Sequence, residues 1–154
     1  MSRVLAVTAA ALFAVPVLAH AGERQDAKVL MATEPADLKL QELVGFSDAV
    51  VTGDTIYFSG LVAEPNPGET DLRPAYERAF VRLGQILTRA GASWDDVVEI
   101  TSFHTDMRTQ MGPMIEVKNR HLREPHPAWT AIGISHLGAP RAVTEIRMIA
   151  KLPK

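Results

Sequence analysis

The 154-residue sequence contains no cysteine. This excludes thiol catalysis, disulfide staples and thiolate metal sites together, and leaves packing as the source of stability. Positive charge is also lacking, with 16 basic residues against 18 acidic ones and the bases scattered among the acids. Nucleic-acid binding draws most of its affinity from phosphate neutralisation, so a protein without a basic face is not expected to have RNA or DNA as a partner. No G-x-S-x-G elbow and no phosphate-cradling glycine loop occurs, which argues against serine hydrolysis and nucleotide binding. His104, His121, His126 and His136 fall in separate segments, without the four-residue spacing of a helical metal site. His104 and Asp106 alternate onto one strand face, but two ligands are fewer than catalytic zinc requires, and the histidines read as surface or loop residues; no metal or cofactor is expected.

Long apolar runs are absent beyond the N-terminus, where Arg3 precedes Val4 to Leu18 and the stretch ends in Ala19-His20-Ala21. A positive start, a short apolar run and small residues before a cut have the layout of a secretory signal. The run is short for a membrane span and carries Pro16, so cleavage after Ala21 is expected. Removing residues 1–21 takes away one base and no acid, leaving an acidic protein that is periplasmic or secreted, with no membrane attachment after signal cleavage.

The whole chain is 47% hydrophobic, enough for one domain with a real core. Residues 22–43 are polar and mixed and show no sustained period, which predicts a flexible leader with an edge strand at most. From Phe46 the pattern tightens. Ala49-Val50-Val51 and Ile56-Tyr57-Phe58 flank Thr52-Gly53-Asp54, a hairpin signal, and Pro65 to Gly68 read as a loop. Leu72, Tyr76, Ala79, Phe80, Leu83, Leu87 and Ala90 recur at helical steps, with Asp71 placed to accept free amides and Gly91 suited to a left-handed cap. Ser93 and Asp96 resemble a capping box, and Val97 to His104 is rich in β-branched residues. A second helix is predicted from Pro113 to about Leu122, followed by strands at Ala128–Ile134 and Val143–Leu152. The order is β-β-α-β-α-β-β, an α+β layer in which helices cover one sheet face; the other face calls for a partner, most simply another copy.

Several short stretches, in this order and spacing, carry a resemblance. They are Gly45-Phe46-Ser47-Asp48-Ala49, Thr55-Ile56-Tyr57-Phe58-Ser59-Gly60, Ala90-Gly91-Ala92-Ser93 with Asp96-Val97-Val98, Asn119, and Glu145-Ile146 with Ile149-Ala150. From about Val44 to Leu152 the chain resembles the Rid (reactive intermediate deaminase, YjgF-type) family, which places a Rid-like domain at 44–154. The resemblance implies a chorismate-mutase-like fold, a homotrimer whose sheets form a central barrel, and small-molecule clefts between subunits. It also implies hydrolysis of enamine or imine compounds to carbonyl products and ammonia, as by 2-iminobutanoate/2-iminopropanoate deaminases, without a cofactor.

The chemistry asks for a held carboxylate, a positioned water and a group that manages its proton. By resemblance Glu145 is the catalytic candidate, and Phe46, Ser59, Gly60, Asn119, Trp129 and Thr130 are candidates to line the cleft. The family grips the substrate carboxylate with an arginine shortly after a proline, but here the segment reads Pro127-Ala128-Trp129-Thr130, with an indole in the arginine's place. Phe46 stands where tyrosine is common and Leu61 where glutamine is common, so the cleft is expected to be more apolar and its ligand uncharged or aromatic. Arg147 shares Glu145's strand face by alternation and is the candidate to restore the missing charge, with Arg141 behind it. The alternative function is a non-catalytic small-molecule-binding or chaperone-like trimer; a ribonuclease role, also associated with such proteins, is opposed by the acidic charge and the exported address.

Overall fold

The computed structural model describes residues 22–154, so the signal peptide expected at 1–21 lies outside the described residues. A one-turn helix α1 (Glu23–Asp26) leads into strand β1 (Lys28–Leu30) and helix α2 (Pro35–Val44), followed by β2 (Ala49–Thr52), β3 (Thr55–Phe58) and β4 (Leu61–Ala63). The long helix α3 (Arg73–Ala90), a 3-10 turn at Trp94–Asp96, strand β5 (Val97–His104), helix α4 (Met107–His121), and strands β6 (Ala128–Gly133) and β7 (Thr144–Lys151) complete the chain.

These elements form where local chemistry favours them. Helix α3 buries Tyr76, Ala79, Phe80, Leu83, Leu87 and Ala90 along one stripe and ends at Gly91, whose φ of 96° suits a residue without a Cβ. Asp71 accepts from the Arg73 amide at 3.0 Å, although the cap position itself is Leu72. The Ser93–Asp96 capping box is present on both sides. Helix α4 begins six residues before the expected Pro113, because Asp106 leaves the strand and caps it by accepting from the Arg108 amide. Pro113 therefore lies inside the helix and removes one backbone bond rather than opening it.

The largest departure from the sequence reading is within 22–43. Besides the edge strand, β1, this stretch forms most of α2. Its pattern is inverted, with Leu40, Leu43 and Val44 exposed and the polar Gln41 buried, so no apolar period marks it. Gln41 is what fastens it: Oε1 accepts from the Ala32 amide at 2.7 Å, and Nε2 donates to Asp48 Oδ1 at 2.7 Å. Asp48 in turn receives Arg89 Nη1 at 2.9 Å, while Arg82 pairs with Asp37 of α2 at 2.8 Å.

The seven strands make one mixed sheet in the order β1-β2-β3-β7-β5-β6, with β4 also pairing β7. Strand β5 is antiparallel to β7 and parallel to β6, so β6 is an edge. Alternation divides the faces. Ile56, Ile100, Ile146, Met148 and Ala150 point to the core under α3 and α4. The opposite face is uncovered in the single chain; one row across it runs Val29, Val50, Tyr57, Ile149, Glu99 and Ala128 by strand register. Val29 and Tyr57 remain more than two-fifths exposed there.

Candidate functional site

Two groups of polar residues stand out, on opposite faces of the sheet. The first surrounds Glu145. Register places Glu145 opposite Phe103 of β5 and Val62 of β4, on the uncovered face. Strands β3 and β4 both pair with β7 but are separated by Ser59 and Gly60, and at this break the Glu145 side chain packs against bare backbone. A Cβ added to Gly60 would collide with the Glu145 carboxyl group, so the absent side chain is what admits the carboxylate. Ser59, Gly60, Glu145 and Phe46 all border a cavity of about 940 Å³, walled on one side by Leu40 and Val44 of α2.

No ion pair engages Glu145 among the described residues. Arg147, the expected rescue, stands on the same uncovered face but in a different row, with Thr101 and Thr130. Arg141 is committed to Glu64 at the cavity rim.

The second group surrounds Trp129, and the sequence reading had joined it to the first. Trp129 aligns with Ile100, whose side chain is in the core, so the indole turns to the helix-covered face and packs against the core. It does not border the Glu145 cavity. Thus one chain brings Phe46, Ser59, Gly60 and Glu145 together, and separately Trp129 and Asn119; Thr130 and Arg147 join neither group. Leu61, counted with Trp129 as greasing the cleft, lines the cavity without it.

Trp129 begins a chain of buried hydrogen bonds. Its Nε1–H donates to Ser102 Oγ at 3.0 Å; Ser102 Oγ lies 2.9 Å from His104 Nε2, and His104 Nδ1 lies 3.1 Å from Thr144 Oγ1. Thr144 also meets Tyr76 Oη at 2.7 Å and donates to Gln110 Oε1 at 3.4 Å. With the Thr144 hydrogen given to Gln110, His104 Nδ1–H and the Tyr76 hydroxyl donate to Thr144. Desolvation holds the pKa of His104 below the ordinary histidine value. This corrects its assignment as a surface histidine: the ring is fully buried. Asp106, expected beside it on the strand, caps α4 instead. Among the described residues no three histidine, aspartate or glutamate side chains gather as metal ligands.

Lys118 of α4 completes the second group and carried no sequence signal. Its ammonium lies 5.0 Å from the centre of the Trp129 ring and donates to Asn119 Oδ1 at 2.7 Å. Although a lysine, it is only 7% exposed. Desolvation lowers its pKa from the usual lysine value.

Comparison with known proteins agrees with this architecture. A family model described as Endoribonuclease L-PSP matches residues 37–152. The chain is 36% identical over 112 residues to the RutC family protein YjgH of Escherichia coli, covering 71% of this chain and 84% of that protein. It is 30% identical to a RutC family protein of Pyrococcus abyssi, covering 72% and 87%. Among solved structures, one described as protein YJGH superposes with a TM-score of 0.69 at 32% identity, covering 82% of this chain and 95% of that one. RidA from an Antarctic Psychrobacter gives 0.61 at 28% identity, covering 81% and 94%. The match to the family model, the curated relatives and the shared fold together establish that this chain belongs to the Endoribonuclease L-PSP (YjgF/Rid) family.

Proposed function

We propose that the protein, after export, associates through its uncovered sheet face into a homotrimer and binds a small metabolite in a cleft between subunits. There it hydrolyses enamine or imine compounds to carbonyl products and ammonia. The observation that carries this reading is the Glu145 carboxylate, seated against bare Gly60 at a cavity wall and unpaired with any cation among the described residues. A carboxylate not neutralised by a neighbour remains free to accept a proton from water.

In the proposed reaction water adds its oxygen to the imine carbon, the C=N π pair moves to nitrogen, and Glu145 takes the water proton. Glu145 passes that proton to the nitrogen, giving the neutral amino alcohol; it then takes the hydroxyl proton and delivers it to nitrogen as the carbonyl forms, the C–N bond breaks and ammonia leaves. Ser59 and Phe46 line the approach. The open row Val29, Val50, Tyr57 and Ile149 supports association, because a helix-free apolar face is stabilised by covering it.

Imines generated by an amino-acid oxidase and trapped with semicarbazide test the reaction. The wild-type protein is expected to shorten the imine lifetime and Glu145→Gln to leave it unchanged; no effect of wild type removes the deaminase reading. The non-catalytic alternative draws on a specific observation as well. Trp129's only donor is already spent on Ser102, so the indole itself offers a ligand no polar grip. A pure binder would keep its ligand affinity in Glu145→Ala.

A further inference from the structure

Charge at the Glu145 cavity is settled everywhere but at Glu145. Of the charged side chains that border it, Arg82 holds Asp37 at 2.8 Å, Arg78 holds Glu69 at 2.6 Å, and Asp48 is held by Arg89 at 2.9 Å. Glu64 is taken by Arg141. Each guanidinium on the lining is thus committed to a carboxylate, and Glu145 is the one charged group there without an opposite among the described residues. An anionic ligand would meet a carboxylate and no free cation, and like charges brought together are costly. A cationic ligand gains an ion pair and breaks none.

The rest of the wall is rich in apolar side chains. Leu40 and Val44 stand one turn apart on α2, and Phe46 and Leu61 line the same cavity. Leu40, Val44 and Phe46 are each two-fifths or more exposed, which leaves apolar area for a ligand to cover. At about 940 Å³ the cavity lies toward the upper end of small-molecule sites, well beyond the few atoms of an iminopropanoate.

We infer that the Glu145 cavity takes an iminium ion with a bulky apolar side chain and no carboxylate, the protonated imine of an amine rather than of an amino acid. The inference rests on the imine-hydrolysing reading above and narrows its ligand to a cation, where the residue at 129 taken alone suggested an uncharged compound. Glu145 serves twice. It pairs with the iminium N–H, and it takes the water proton as the oxygen joins the carbon and the C=N π pair moves to nitrogen, which leaves a neutral amino alcohol. Glu145 hands that proton to nitrogen, then takes the hydroxyl proton as the carbonyl forms, the C–N bond breaks and ammonia departs. The last proton passes from Glu145 to ammonia, so iminium and water give a carbonyl compound and ammonium.

Benzylamine, benzyl alcohol and benzoate are alike in shape and carry a positive charge, none and a negative charge; each is titrated calorimetrically into the protein at neutral pH. The amine is expected to bind at least about tenfold more tightly than the alcohol, and benzoate more weakly than either. Glu145→Gln should bring the amine within about twofold of the alcohol and leave the alcohol unchanged, since only the charged contact is lost. Leu40→Ala should weaken amine and alcohol alike, by about threefold, because it touches the ring and not the charge. No saturable heat from the amine, benzoate bound as tightly as the amine, an amine preference that survives Glu145→Gln, or an unchanged Leu40→Ala would each overturn the inference. The imines of benzylamine and phenylglycine, released by flavin amine and amino-acid oxidases, differ only in the carboxylate, and their lifetimes are read from the ultraviolet absorbance of the conjugated C=N. Glu145-dependent hydrolysis of the phenylglycine imine alone would defeat the ligand class and spare the deaminase reading. Glu145-dependent amine binding with neither imine hydrolysed would do the reverse.

Discussion

Helix α2 forms one wall of the Glu145 cavity, yet its apolar residues face outward and its attachment is polar. Replacing Gln41 by alanine tests whether that attachment holds the wall. The substitution leaves the Ala32 amide buried without an acceptor, a loss of about 1 to 3 kcal/mol. It also removes one of the bonds to Asp48; because Asp48 keeps Arg89 at 2.9 Å, that loss is nearer to about 1 kcal/mol. One buried methylene adds about 0.8 kcal/mol, and the freed rotamer entropy of glutamine returns about 1.5. The expected net is about 1 to 3 kcal/mol. Guanidinium unfolding followed by circular dichroism, at one fixed protomer concentration, should show a lower midpoint with the slope unchanged. Gln41→Glu supplies the sign. It retains an acceptor for Ala32 but sets a second carboxylate against Asp48, so it should be more destabilising at neutral pH than near pH 4, where protonation restores a donor. A cost below about 0.5 kcal/mol for the alanine variant, or an unchanged Gln41→Glu at both pH values, would show that α2 is held by something other than this side chain.

Two further outcomes follow from the same geometry. Gly60→Ala is expected to displace the Glu145 carboxyl group and remove imine turnover while global stability changes little, read by the semicarbazide assay beside a thermal melt; retained turnover would mean that Glu145 acts from elsewhere. His104 gives a pH dependence: its folded pKa lies below the unfolded value of about 6.5, so the unfolded chain binds more protons and this contribution, complete above that value, is lost as pH falls through it. Denaturant midpoints measured across that window should decline more steeply for wild type than for His104→Gln, and identical slopes would exclude a buried neutral imidazole as the cause.

The sequence by itself determined the elements whose residues agree with their surroundings. Helix α3 was legible because its buried stripe is apolar and Gly91 stops it, and the β2–β3 hairpin because β-branched and aromatic residues flank a turn. The motifs around Gly60 and Glu145 pointed to the family, and the fold places those two residues in contact. Helix α2 escaped because it inverts the pattern, burying an amide and exposing leucines, and α4 was shortened because its cap, Asp106, reads as strand until the chain turns.

Only the tertiary structure decided the charge of the Trp129 site. Strand alternation sends that indole to the face opposite Glu145, and helix α4 brings Lys118 over its ring from another element. Burial of a lysine or histidine depends on which faces meet, an outcome of packing between distant segments. Local periodicity cannot express it, because the cost of desolvating a charge arises only when the surrounding chain has closed over it.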